Sequence, residues 1–139
     1  KKAYENFHIK NNLTFNSNYY KDSLNDTTTT GIELTKKLFN LKNPPTAIIC
    51  SLDKFFIGCL QECQRRGLGA PKDISIVGYN DHDNYLSSQN LTFISHPLAK
   101  MGRMAVEILE KIEKGEDPNK LSKLIEPILN EGKSDGKII

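Results

Sequence analysis

Short runs of consecutive apolar residues alternate along this chain with longer stretches where apolar positions return every three or four residues. The first pattern predicts strands and the second predicts helices. Residues 1–7 read as the tail of a helix, and residues 13–20 as a weak strand or extended connection. Asp26 followed by Thr27, Thr28, Thr29 and Thr30 supplies helix-capping chemistry. Beyond it Leu34, Leu38 and Leu41 fall on one helical stripe, which Asn43-Pro44-Pro45 should stop, because a residue before proline disfavours helical backbone. Thr46-Ala47-Ile48-Ile49-Cys50-Ser51 is continuous and apolar, as expected of a strand covered on both faces.

Asp53 then caps a helix whose buried stripe is Phe56, Cys59, Leu60 and Cys63. Arg65 and Arg66 suit the negative end of its dipole, and Gly67 suits the left-handed position just past it. A second strand of the buried type spans residues 74–79, a polar loop residues 80–90, and a third strand residues 91–95. Pro97 favours a helix start. In the helix that follows, Met101, Met104, Ala105, Ile108, Leu109 and Ile112 repeat with the strongest helical period in the chain. Gly115 closes it. A final strand is expected within residues 124–129, and residues 132–139 read as a loose tail.

Strand, helix, strand, helix, strand requires right-handed crossovers, and so an α/β fold with a mostly parallel sheet flanked by helices. Ligands of such sheets bind at the carboxyl ends of the strands. Two segments occupy that place: Ser51-Leu52-Asp53, and the stretch Asn80-Asp81-His82-Asp83-Asn84.

Composition narrows the function classes. A length of 139 residues suits one domain, and 37% hydrophobic with 26% charged residues is ordinary for a soluble one. No run approaches the roughly 18 apolar residues of a membrane span. The start carries no signal-peptide pattern and no initiator Met, which suggests that something upstream has been removed. Basic and acidic residues number 19 and 17 and are intermixed, without the basic stripe of a nucleic-acid contact surface. Cys50, Cys59 and Cys63 lack disulfide or zinc spacing and read as buried thiols of a reducing cytoplasm; His8, His82 and His96 form no ligand pattern.

Catalytic motifs fail on inspection. Ser51 sits where a nucleophile elbow would, but Ile49 and Asp53 stand at the glycine positions. Asp81-His82-Asp83 lacks the continuation of a calcium loop. Gly67-Leu68-Gly69 follows a helix and has no third glycine. Asn80 is the better candidate. One residue beyond a strand, its amide can donate to and accept from a ligand hydroxyl, although capping its own turn is an equally good use.

Four stretches resemble the LacI/GalR family of transcriptional regulators. Pro45-Thr46-Ala47-Ile48-Ile49-Cys50-Ser51-Leu52-Asp53, then Ile57-Gly58, is similar to the pattern P-T-A-I-x-x-x-N-D-x-x-A-x-G. Arg66-Gly67-Leu68-Gly69-Ala70-Pro71-Lys72-Asp73-Ile74-Ser75-Ile76-Val77-Gly78-Tyr79-Asn80-Asp81 resembles G-x-x-V-P-x-D-I-S-I-V-G-Y-D-D. Leu91-Thr92-Phe93-Ile94, His96-Pro97 and Met101-Gly102 resemble L-T-T-I-x-Q-P-x-x-x-M-G. Pro127-Ile128-Leu129, ending at Ser134, looks like the closing P-x-L-x-x-R-x-S, with Gly132 in place of the arginine.

The resemblance implies a periplasmic-binding-protein-like (type I) fold of two hinged subdomains, of which residues 1–139 would be mainly the C-terminal one. The first subdomain and the N-terminal DNA-binding domain would be absent. It further implies a cytoplasmic regulator, a repressor, that binds a small effector such as a sugar between its subdomains and so controls operator DNA through the missing domain. No enzymatic activity, cofactor, metal or membrane is implied. A winged-helix head of the GntR type fits the fragment equally. Carried over position by position, the effector contacts fall on Leu52, Asn80 and Asp26, all departures from the usual pattern. A dimer interface is implied too, and Phe55, Phe56 and Ile57 in succession offer more apolar surface than one buried stripe uses. Alternatives are a solute-binding protein of a sugar ABC transporter and, less well supported, a small doubly wound enzyme.

Overall fold

The computed structural model describes residues 1–80 and 85–137; the loop residues Asp81, His82, Asp83 and Asn84 lie outside the described residues. Its strands form a sheet in the order β1 (Ala47–Ile49), β2 (Ser75–Tyr79), β3 (Phe93–Ser95) and β4 (Ile128–Asn130). The first three run parallel, Ile48 opposite Ile76 and Gly78 opposite Phe93, and β4 returns antiparallel along β3. The helices are α1 (Lys2–Lys10), α2 (Thr28–Phe39), α3 (Asp53–Arg65), the short α4 (Tyr85–Ser88) and α5 (Leu98–Glu113). The expected α/β architecture is therefore present, with a mixed rather than purely parallel sheet.

The core lies between α3 and the sheet. Phe56, Cys59 and Cys63 of α3 meet Ile48, Cys50, Ile74, Ile76, Leu86 and Phe93, while Leu60 is only half-buried. Against the other side of α3 lies α2, close enough that glycine is needed where they cross. A Cβ at Gly58 would stand 2.4 Å from the Thr28 carbonyl oxygen and 2.7 Å from the Ile32 nitrogen; one at Gly31 would stand 2.8 Å from the Phe55 Cα. These contacts are with backbone, so a side chain would force the helices apart.

Capping follows the sequence. The Thr27 hydroxyl accepts from the Thr30 N–H at 3.1 Å and starts α2. Gly67 (φ +72) and Gly115 (φ +89) adopt the left-handed conformation that ends α3 and α5. Beyond each, the chain bonds back into the last turn, Leu68 N–H to Cys63 and Glu116 N–H to Lys111. At the far ends of α2 and α3, Glu62 is buried. It accepts from Arg65 at 2.8 and 2.7 Å and from Arg66 at 2.6 Å. The Arg66 guanidinium lies 4.9 Å above the Phe39 ring, which fastens the end of α3 to the end of α2.

Several expectations need correction. The strands are covered on one face, since Ile48, Ile76 and Gly78 are buried while Ile49 is 69% exposed and Val77 half-buried. Continuous apolar runs overstate burial here because they report apolarity and not the cover that each face receives. The stripe on α5 is not buried either: no residue of α5 is, and Leu109 is 59% exposed. Residues 13–20 form a 3₁₀ turn at Ser17–Tyr19 rather than a strand. Helix α2 ends at Phe39, short of the proline pair, and Leu41 packs on the core from the following loop. Pro97, as expected, stands at the start of α5, at its N-cap.

The supposed loose tail is tied into the sheet. The Ile76 N–H donates to the Ser134 carbonyl at 2.7 Å, and the Ser134 hydroxyl donates to the Ile76 carbonyl at 2.7 Å while accepting from the Thr92 N–H at 2.9 Å. Ser134, 1% exposed, thus bridges β2 to the residue before β3. A Cβ at Gly132 would come 2.3 Å from the Leu91 carbonyl carbon, so glycine in place of the pattern's arginine allows this close approach.

Candidate functional site

Parallel β1 and β2 end side by side, with Ile49 opposite Val77 and the Cys50 N–H donating to the Val77 carbonyl at 2.8 Å. Leu52 and Asn80 therefore leave the sheet from the same edge, each three residues beyond that last pair. Leu52 occupies the N-cap of α3 in extended backbone, half-buried, with no side-chain cap. Asp53, expected as the cap, is instead the first residue of α3, and its carboxylate accepts from the Lys54 N–H at 2.7 Å. Asn80 adopts φ +64, a conformation asparagine tolerates better than most residues, and its N–H donates to the Ile94 carbonyl at 2.8 Å. That bond locks the tip of β2 to β3.

Asp26 arrives by a different route. Helices α2 and α3 run side by side, Gly31 against Phe55 and Phe39 against Arg66, so their amino ends share the carboxyl edge of the sheet. Exposed Asp26 immediately precedes the Thr27 cap of α2. All three sequence-predicted residues thus lie toward one end of the layer. Their arrangement offers one neutral amide, one aliphatic surface and one exposed carboxylate beside two helix amino ends.

A fourth group belongs to this edge. The Tyr79 hydroxyl meets His96 Nε2 at 2.8 Å, and the rings stand edge to face with centroids 5.3 Å apart. The parallel pairing of β2 with β3 brings these residues together, since Tyr79 closes β2 and His96 directly follows β3. Sequence reading treated His96 as isolated; extending the predicted pairing past both strand ends would have found the contact.

The thiols lie on the buried side. Cys50, Cys59 and Cys63 are free and buried, as expected. Hydrogen bonding to Cys50, reinforced by burial, pushes the Cys59 thiol well above the usual range, and bonding to Cys59 with burial does the same to Cys63. Such thiols stay protonated at neutral pH. Among the described residues no group of three or more His, Cys, Asp or Glu is arranged to hold a metal, and no helix is long and apolar enough to cross a membrane.

Comparison with known proteins identifies the fold. The family of periplasmic binding protein-like domains matches residues 1–134. The chain belongs to this family. Its relatives include the ribose operon repressor of Haemophilus influenzae, 35% identical over 70% of the chain and 30% of that protein. A regulator named EndR of Paenibacillus polymyxa is 33% identical over 95% of the chain and 39% of its own length. Among solved structures, a LacI-family regulatory protein from Chloroflexus aggregans superposes with a TM-score of 0.84 at 27% identity, over 96% of the chain and 48% of that protein. The likeness to LacI/GalR effector domains is therefore borne out. The chain spans about a third of the length of these curated relatives. They are transcriptional regulators, which favours regulation over solute transport.

Within this periplasmic-binding-protein-like chain, one residue of the apolar run at the start of α3 drops out of the dimer expectation. Phe56 is fully buried in the core, and Phe55 and Ile57 are half-buried. Phe56 is taken up by the chain's own core, while Phe55 and Ile57 keep part of their surface exposed.

Proposed function

We propose that this chain is the effector-sensing part of a cytoplasmic DNA-binding transcriptional repressor and forms one jaw of its ligand cleft. The carrying observation is the convergence of Asp26, Leu52 and Asn80 on the carboxyl edge of a sheet whose fold is that of LacI-family regulators. The second jaw would be a further subdomain, and the operator-binding head a further domain. Exposed apolar residues of α5 support this, since Leu98, Met101, Val106 and Leu109 are each at least 40% exposed and could be covered in a larger assembly. A homodimer, with Phe55 and Ile57 at its rim, completes the proposal.

The effector is a small neutral metabolite of the sugar class. With Leu52 replacing a hydrogen-bonding residue and Asn80 replacing a carboxylate, recognition at the two strand tips falls to one neutral amide, while the one charged contact of this jaw is Asp26. Effector contacts that exist in one hinge state alone bias the DNA heads by their differential free energy. The test is a thermal-shift screen of the protein at its natural length against pentoses, hexoses, nucleosides and nucleobases. A ligand at 100 times its Kd stabilises by about 2.7 kcal/mol. The hit should also change occupancy on DNA selected from random sequence, and Asn80→Ala should abolish both responses. A protein that responds to no member of the panel contradicts the reading.

A further inference from the structure

We propose that Tyr79 and His96 form a reversible donor–acceptor pair that reads a hydroxyl group of the ligand, making them specificity-determining residues of the carboxyl edge. The inference rests on the ligand-cleft reading and adds to it the chemistry of one contact. Tyr79 points away from the core face of β2, whose buried positions are Ile76 and Gly78, and His96 is exposed. Neither ring is consumed by packing in the core. Both belong to the corner that the Asn80–Ile94 hydrogen bond holds together.

The pair has two neutral settings. When the Tyr79 hydroxyl donates to Nε2, the proton of the imidazole sits on Nδ1, and the ring presents an N–H to its surroundings. When Nε2–H donates to the Tyr79 oxygen, Nδ1 becomes an acceptor and the phenol proton is free to donate elsewhere. The 2.8 Å contact and the perpendicular rings are common to both settings, so switching needs only a tautomer change and a hydroxyl rotation. An alcohol donates and accepts, so it satisfies either setting. An aliphatic group at the same place satisfies neither and leaves the pair's outward group unpaired, which is the physical source of discrimination.

Titration calorimetry on the protein at its natural length tests this. The probes are D-ribose, D-glucose and adenosine, each with its monodeoxy analogues. His96→Phe keeps an aromatic ring beside Tyr79 but removes the hydrogen bond, and should weaken binding of the hydroxylated probe about tenfold, one lost contact of about 1.4 kcal/mol. Tyr79→Phe should do the same. His96→Gln, whose amide both donates and accepts, should stay within about threefold of the parent. Against the deoxy analogue lacking the contacted hydroxyl, parent and His96→Phe should bind alike. If His96→Phe binds every probe as tightly as the parent, the pair is not a reader, while the cleft reading stands. Equal losses in His96→Phe and His96→Gln across all analogues, with lowered melting temperatures, would make the pair a structural clasp and also overturn the proposal. If the parent binds none of the probes, this inference fails together with the ligand-cleft reading beneath it.

Discussion

Gly58→Ala tests the packing that places two helix amino ends at one edge. The new methyl would sit 2.4 Å from the Thr28 oxygen and 2.7 Å from the Ile32 nitrogen, about 1 Å inside ordinary contact distance. Overpacking typically costs about 1–3 kcal/mol, and obstruction by backbone puts this site at the upper end. Alanine in place of glycine inside a helix returns about 1 kcal/mol. The net is a destabilisation of about 1–2 kcal/mol, or a fall of about 3–7 °C in Tm for a domain of this size. Gly102→Ala in α5 is the matched control, because a Cβ there meets nothing within 4 Å. It should keep the helix-propensity gain and stabilise by up to about 1 kcal/mol. Thermal and urea unfolding followed by circular dichroism would rank the variants. A Gly58→Ala protein as stable as the parent would refute the close crossing of α2 and α3.

Other expectations follow from the same packing. The Arg65 hydrogen bond, aided by Arg66 and opposed by burial, lowers the Glu62 carboxyl from 4.5 to about 2. A carboxyl lowered on folding stabilises above its unfolded value, so this contribution should fade as pH falls from 4.5 towards 2. Glu62→Gln should cost about 2 kcal/mol at pH 7 and show a flatter acid limb; a parallel limb would contradict the assignment. Ser134→Ala strands the buried Thr92 N–H and should cost about 1–3 kcal/mol in urea unfolding, whereas a change within about 0.3 kcal/mol would mean the tail is not fastened as described. The three cysteines should react with a disulfide reagent only after denaturation, and rapid native labelling would show that the α3 core opens.

Local chemistry made much of this fold legible. Thr27, Gly67 and Gly115 announce helix ends because capping and left-handed backbone depend on the residue itself. The placement of Leu52 and Asn80 just beyond two strand ends is equally readable, since strands that run parallel end on the same side of the sheet. Periodicity, in contrast, says which face is apolar and not what covers it; hence α5 carries the strongest stripe and buries none of it. The fastening of Ser134 depends on pairing over 58 residues to Ile76, which no local pattern encodes. The Tyr79–His96 contact lies between these cases, as it follows from strand pairing extended past the strand ends.

Ligand-induced changes in backbone amide shifts test the central claim most directly. With a saturating effector from the screen, the largest changes should fall at Thr27, Leu52, Asp53, Tyr79, Asn80 and His96. Changes centred instead on the opposite end of the sheet, around Arg66, Gly69 and Asp73, would contradict a cleft at the carboxyl edge.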